Sequence, residues 1–129
     1  LHIIDLSILP NGHYALATNG SGSIGGMTVG KGDIIDYDPV ANITVRIINS
    51  AAGKFFLTDE NVDALHVLSN GNMIFSAASA GKIISSGLTF TAGDLIEYNP
   101  VTQETSIYLA EVDIFGIATN IDAVYVIEE

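Results

Sequence analysis

The feature that most constrains this chain is that its sequence is written twice. Gly32-Asp33-Ile34-Ile35-Asp36-Tyr37-Asp38-Pro39-Val40 returns as Gly93-Asp94-Leu95-Ile96-Glu97-Tyr98-Asn99-Pro100-Val101, 61 positions later and with every replacement conservative. An apolar run entering Asn-Gly occurs at Leu6 to Gly12 and again at Leu65 to Gly71, 59 positions on. Asn61-Val62-Asp63-Ala64 comes back as Asn120-Ile121-Asp122-Ala123, again at 59. Residues 1–60 and 61–119 are therefore two units of one domain, and 120–129 is the first strand of a third. A repeat of this length is one supersecondary unit that must stack on a neighbour to bury its apolar face.

Within a unit the periodicity is that of strands. Leu6 and Ile8, then Tyr14 and Leu16, alternate across Asn11-Gly12, and Leu65 and Val67, then Met73 and Phe75, across Asn70-Gly71. Asn-Gly between such runs is a strong hairpin signal. A Gly/Ser/Ala-rich connection follows, 18–31 and 77–92, with room for a short apolar segment. A third strand is expected over 33–37 and 94–98, then a turn over 38–42 and 99–103, in which Pro presets φ and Asp38 or Asn99 bonds its own backbone. The fourth strand, 43–48 and 104–109, is rich in β-branched residues. The stretches 49–60 and 110–119 carry Phe55, Phe56, Ile114 and Phe115, too apolar for free loops, and should fold back onto a sheet edge. No window has a sustained helical period with caps. The expected fold is all-β: two propeller-like, four-stranded antiparallel blades plus an extra strand, or else a β-sandwich of two four-stranded sheets.

Asp63-Ala64-Leu65-His66-Val67-Leu68-Ser69-Asn70-Gly71, with the later Gly93-Asp94-Leu95-Ile96-Glu97-Tyr98-Asn99-Pro100, resembles the blades of bacterial β-propellers of the YVTN type. It is more similar still to an uncharacterised group of secreted bacterial repeat proteins with Ile-Asp-Ala-Leu before the hairpin. The resemblance spans nearly the whole chain, rests on structural motifs, and implies a propeller fold. It departs from the WD type in having no Trp. Two blades cannot close a ring of about four to eight. Either the chain is part of something longer, or copies assemble head to tail into a ring of six or eight blades or into an open filament. The third copy of the first strand is the natural element to cross to a neighbour.

Charge narrows the partners. Hydrophobic residues make up 48% and charged residues only 15%, well below the roughly one quarter usual for a lone domain, so self-association is expected to cover part of the surface. The net charge is −11, from 15 acidic and 4 basic residues, with no Lys or Arg after Lys82. Phosphate backbones and anionic membrane surfaces are bound by clustered Lys and Arg, so neither nucleic acid nor a membrane surface is an expected partner. The longest apolar runs are far short of the roughly 20 residues a spanning helix needs, so membrane insertion is not expected. Without cysteine there is no thiolate metal site, thiol catalysis or disulfide. The sequence starts Leu1-His2 without Met and without the pattern of a leader, which suggests a processed product or a fragment.

Few constellations offer chemistry. Asp33, Asp36 and Asp38, with Asp94, Glu97 and Asn99, supply the oxygen ligands Ca²⁺ prefers, but strand geometry puts Asp36 and Asp38 on one face and Asp33 on the other. Asp63 and Asp122 start the first strand of their units, where a ring of carboxylates at a propeller axis could hold a cation, or where each could accept backbone N–H bonds. Asp5 is one position out of step with them and faces the other way unless a bulge intervenes. The candidate metal residues are thus Asp63, Asp122, Asp36 and Asp38, with Ca²⁺ the one conceivable cofactor. Gly20-Ser21-Gly22-Ser23-Ile24-Gly25 matches GxGxxG, yet no helix follows to present its N-terminus to a pyrophosphate, so it reads as a connection. His2, His13 and His66 have no metal-ligand spacing, and no G-x-S-x-G elbow is present. The amphipathic aromatics available to a glycan are Tyr14, Tyr37, Tyr98, Tyr108 and Tyr125.

These observations lead to a non-catalytic, self-assembling structural module at the cell surface or outside the cell. The alternative is a propeller that binds a glycan or Ca²⁺ at its blade interfaces. An enzyme comes last, because neither unit displays a polar constellation the other lacks.

Overall fold

The computed structural model describes residues 2–110 and 124–128. The described residues form no helix and twelve strands, in two four-stranded antiparallel sheets and two small hairpins. The first sheet has the order β1-β2-β5-β6, built from β1 (His2–Ile8), β2 (Tyr14–Asn19), β5 (Ile34–Asp38) and β6 (Ile43–Ile48). Between β2 and β5 the chain makes the hairpin β3 (Gly22–Ile24) and β4 (Met27–Val29). The second sheet repeats the plan with β7 (Val62–Val67), β8 (Met73–Ala77), β11 (Leu95–Tyr98) and β12 (Thr105–Leu109). Its hairpin is β9 (Gly81–Lys82) with β10 (Thr89–Phe90). Both small hairpins lie in the Gly/Ser-rich connections. They are too short to show a period in the sequence, and the GxGxxG match falls on β3 and its turn, where Gly25 and Gly26 take φ of +53° and +78°.

The turns follow side-chain chemistry in both units. Pro10-Asn11 forms a tight turn closed by Gly12 N–H to Leu9 O at 2.9 Å, and Gly71 N–H to Leu68 O repeats it at 2.9 Å. Asn11 Oδ1 and Asn70 Oδ1 accept the N–H groups of His13 and Asn72. Gly12 and Gly71 both sit at φ +88°, the left-handed region a side chain disfavours, so Asn-Gly here closes a longer hairpin than the two-residue form. Asp38 Oδ1 accepts from Val40 N and Ala41 N, and Asn99 Oδ1 from Val101 N and Thr102 N, as the Asp-Pro and Asn-Pro pairs predict.

The two sheets pack face to face. Leu65, Val67, Met73, Phe75, Ile96 and Tyr98 share one face of the second sheet by register, and join Ala15, Ala17, Ile34 and Ile48 of the first in a single buried cluster. Phe55 and Phe56, from the chain between the sheets, complete that cluster. Phe56 meets Phe75 and Phe90 edge-on at 6.3 and 5.8 Å, and Phe55 meets Tyr98 at 5.1 Å. Their backbone bonds the second hairpin through Leu57 N–H to Lys82 O and Ile84 N–H to Phe55 O. On the far face of the first sheet, Leu16 and Ile35 are covered by Ile24, Met27 and Val29 of the first hairpin. On the far face of the second, Leu68, Ile74 and Leu95 are covered by Val124 and Val126. Half of the proposed third-unit strand, including Asp122, lies outside the described residues.

Candidate functional site

The two first strands lie side by side at the seam, and side chains join them. Asp5 Oδ2 accepts Leu65 N–H at 2.8 Å and Ser7 Oγ accepts Val67 N–H at 2.9 Å, so β1 and β7 run parallel with an offset of 60 residues. Both strands carry a register shift near the start, between Ile3 and Asp5 and between Val62 and Ala64. A bulge of this kind re-aims the side chains beyond it. Beyond the shift Asp5 alternates regularly with Ser7, so both reach the seam while Leu6 and Ile8 take the other face.

Next to the seam opens a cleft of about 580 Å³, lined by the first unit, by residues 59–61 of the connecting chain and by Ala78 and Ser79 of the second unit. Its floor is Asp33, in the tight turn between β4 and β5, with 1% of its surface exposed. Oδ2 of Asp33 accepts Gly30 N–H at 2.8 Å and Arg46 Nε–H at 3.0 Å, and Oδ1 accepts Ser50 N–H at 2.9 Å. Ser50 Oγ lies 3.0 Å from the same Oδ1. A carboxylate this buried is tolerable only with such a full set of donors. Arg46 continues to Thr28 O, so the Asp33–Arg46 pair locks β6 to the first hairpin.

Glu60 forms part of the opposite wall and is 5% exposed. Ser79 Oγ donates to its Oε2 at 2.7 Å, and Thr58 Oγ1 lies 3.5 Å from Oε1. Burial penalises its charged form and raises its pKa above the ordinary glutamate value, the two hydroxyls opposing the shift only in part. The chain closes so tightly here that a Cβ on Gly32, whose φ is +83°, would stand 2.5 Å from Glu60 O. The cleft offers carboxylates, amide side chains and hydroxyls, with Lys31 and Arg46 as its cations, and no His or Cys lines it. Such a wall can both donate and accept hydrogen bonds.

Of the carboxylates singled out from the sequence, Asp33 alone lines the cleft; the described candidate metal residues Asp36, Asp38 and Asp63 lie outside it. Asp36 and Asp38 share a face at the end of β5, as period-2 geometry requires, and bracket one imidazole: His13 Nδ1 is 2.8 Å from Asp36 Oδ1 and Nε2 is 3.5 Å from Asp38 Oδ2. The carboxylates point at the ring and not at a shared vacant point. Backbone bonds from Ala41 and Val40, with His13 nearby, lower the Asp38 pKa below its ordinary value. In the second unit the cluster becomes Asn72 Nδ2 donating to Glu97 Oε2 at 2.7 Å. Asp63 sits on β7, in the other sheet, and accepts from Ser76 Oγ at 2.8 Å. Among the described residues, no group of three or more His, Asp or Glu side chains is arranged to hold a metal ion. The tyrosines are dispersed: Tyr14 and Tyr37 flank the first sheet's outer cluster, Tyr98 is buried, and Tyr108 and Tyr125 are exposed.

Apart from Asp33, the cleft residues escaped the sequence reading, although a signal was present. Arg46 and Lys31 stand where the second unit has Ile107 and Ala92, 61 positions on, so the units do differ in a polar constellation. Glu60 and Ser79 give no sign in the sequence that they face it. Compared with models of known protein families, with curated proteins and with solved structures, the chain matches none of them.

Proposed function

We propose that this protein is a non-catalytic structural module, propeller-like in its blades, that works at the cell surface or outside the cell and assembles with copies of itself. The observation that carries this reading is that one packing step is used twice. Leu65 and Val67 lie in a cluster with Leu9, Ala15 and Ile34 of the preceding unit. Val124 and Val126, 59 positions on, pack against Leu68, Ile74 and Leu95, which are the repeat equivalents of those three. A step that repeats with the same faces can go on adding units, and it closes into a ring or runs on as a filament according to the rotation per step. The parallel, side-by-side first strands favour blades about an axis over an isolated sandwich. Light scattering over a concentration series is expected to give a mass that rises above the 13.5 kDa of one chain. A mass fixed at that value throughout overturns self-assembly.

The cleft favours a second reading, a glycan held at the junction between units. Asn49, Asn61, Asp59 and Ser79 there can exchange hydrogen bonds with sugar hydroxyls. A glycan array and calorimetric titration, with Ca²⁺ titrated alongside, test it. No array signal and no heat remove it.

A further inference from the structure

The two faces of each sheet have different tasks. In the second sheet, the face bearing Leu65 and Val67 is covered by the first sheet, leaving these side chains 1% and 6% exposed. Their equivalents in the first sheet, Leu6 and Ile8, are 48% and 54% exposed. They stand in register with Leu16 and Tyr14, on the face where, among the described residues, the small hairpin β3–β4 covers Leu16 and Ile35 but no four-stranded sheet packs over β1. The surface suited to cover them is the one that covers Leu65 and Val67, with Ala15 and Ile34 at its centre. The chain displays that surface a second time, as the Ile74 and Leu95 face of the second sheet. Residues 124–128 lie across it.

We propose that two copies associate head to tail, β1 of one copy taking the place of residues 124–128 on the second sheet of the other. This deepens the self-assembly reading and rests on it. The occupant is a second copy because the fit is already made once inside the chain: the same two faces form the internal junction, so the new contact continues an interface of known geometry. The internal junction is also the better anchored of the two. Asp5 and Ser7 accept N–H groups of β7 there, whereas their equivalents on β7 are Ala64, which has no acceptor side chain, and His66. Residues 124–128 are held by the valine pair, by the edge of His66 against Tyr125 at 4.8 Å, and by Glu128 accepting from Ser69. Tyr125 and Ile127 are themselves 80% and 81% exposed. A short segment fixed this way can be exchanged for a strand that brings a whole sheet face with it. The Leu6 N–H of an incoming β1 is already accepted by its own Asp5 Oδ1 at 2.8 Å, so docking strands no donor at that position.

The test compares the mass, by light scattering at matched concentrations, of four full-length chains: the unchanged protein, Val124→Asp/Val126→Asp, Leu6→Asp/Ile8→Asp, and all four changes together. Freeing the second sheet's face is expected to at least double the mean mass at a concentration where the unchanged chain is mostly single. The changes in β1 are expected to abolish that gain. Leu6→Ser/Ile8→Ser, a milder pair at half-exposed positions, should act the same way with an unchanged circular dichroism spectrum, which separates lost docking from lost folding. If the unchanged chain assembles but neither pair of changes alters it, this interface is wrong and self-assembly stands. If the unchanged and freed chains both remain single, both ideas fail. If only the freed chain assembles, and through β1, the interface stands and spontaneous self-assembly of the unchanged chain does not.

Discussion

At the scale of single residues, two buried carboxylates next to one cleft are stabilised in opposite ways. Asp33 has backbone, hydroxyl and guanidinium donors, so removing it leaves Arg46 and two backbone N–H groups without their acceptor. Asp33→Ala is expected to cost about 3 kcal/mol in urea unfolding, within the range for breaking a buried, hydrogen-bonded ion pair. A loss below about 1 kcal/mol would mean that water replaces the carboxylate. Glu60 has hydroxyl donors and a raised pKa, so the fold prefers its acid form. A group whose pKa is raised on folding contributes stability below its unfolded value, and that contribution is lost as pH rises through the folded value. Glu60→Gln is therefore expected to be more stable than the parent at neutral pH, with the advantage shrinking as the solution is acidified towards the ordinary glutamate value. Equal gains at neutral and acid pH would sink this account. Neither residue's partners were legible in the sequence, because burial and donor sets come from the approach of distant segments: Asp33 meets Ser50, and Glu60 meets Ser79.

At the scale of elements, what was legible was whatever carried a local period or a turn residue. The eight principal strands follow from alternation, and the Asp38-Pro39 and Asn99-Pro100 turns from side chains that bond their own backbone. The hairpins β3–β4 and β9–β10 were not legible, since strands of two or three residues set among Gly and Ser have no pattern to read. Asp5 was legible only conditionally. Its facing relative to Asp63 depended on whether a bulge intervened, and both first strands carry one, at Ile3/Asp5 and at Val62/Ala64. The first strands of the two units are joined by side-chain acceptors in place of a backbone ladder, which makes those acceptors structural. Asp5→Ala is expected to lower stability by about 1–2 kcal/mol through the stranded Leu65 N–H. Hydrogen exchange measured at Leu65 should quicken in this variant more than exchange at the ladder-bonded amides of β8. Uniform quickening across both strands would point to global loosening.

At the scale of the whole molecule, the repeat was the most legible property, and its meaning was the least. Two aligned copies announce stacking, but which face meets which depends on packing between residues about 60 positions apart. The aromatic pair expected to fold back onto a sheet edge does so by packing into the core, Phe56 within it and Phe55 against it. Phe55 and Phe56 belong by sequence to the tail of the first unit and by packing to the second. A fragment beginning at Ala51 is therefore expected to melt more cooperatively and at higher temperature than one beginning at Asn61, because losing a buried Phe typically costs about 3–5 kcal/mol. Identical melting curves for the two would show that the pair is dispensable to the second unit.

The displaced Phe55-Phe56 pair also bears on how such a chain is made. A ribosome adding residues in order completes the strands of the first unit before it supplies the aromatic pair, and the pair then waits for a sheet that does not yet exist. The second unit consequently begins with its core filler already outside, apolar and next to a finished sheet. The second unit thus draws its core filler from the chain that precedes it, so a swap in the order of the units would not be neutral.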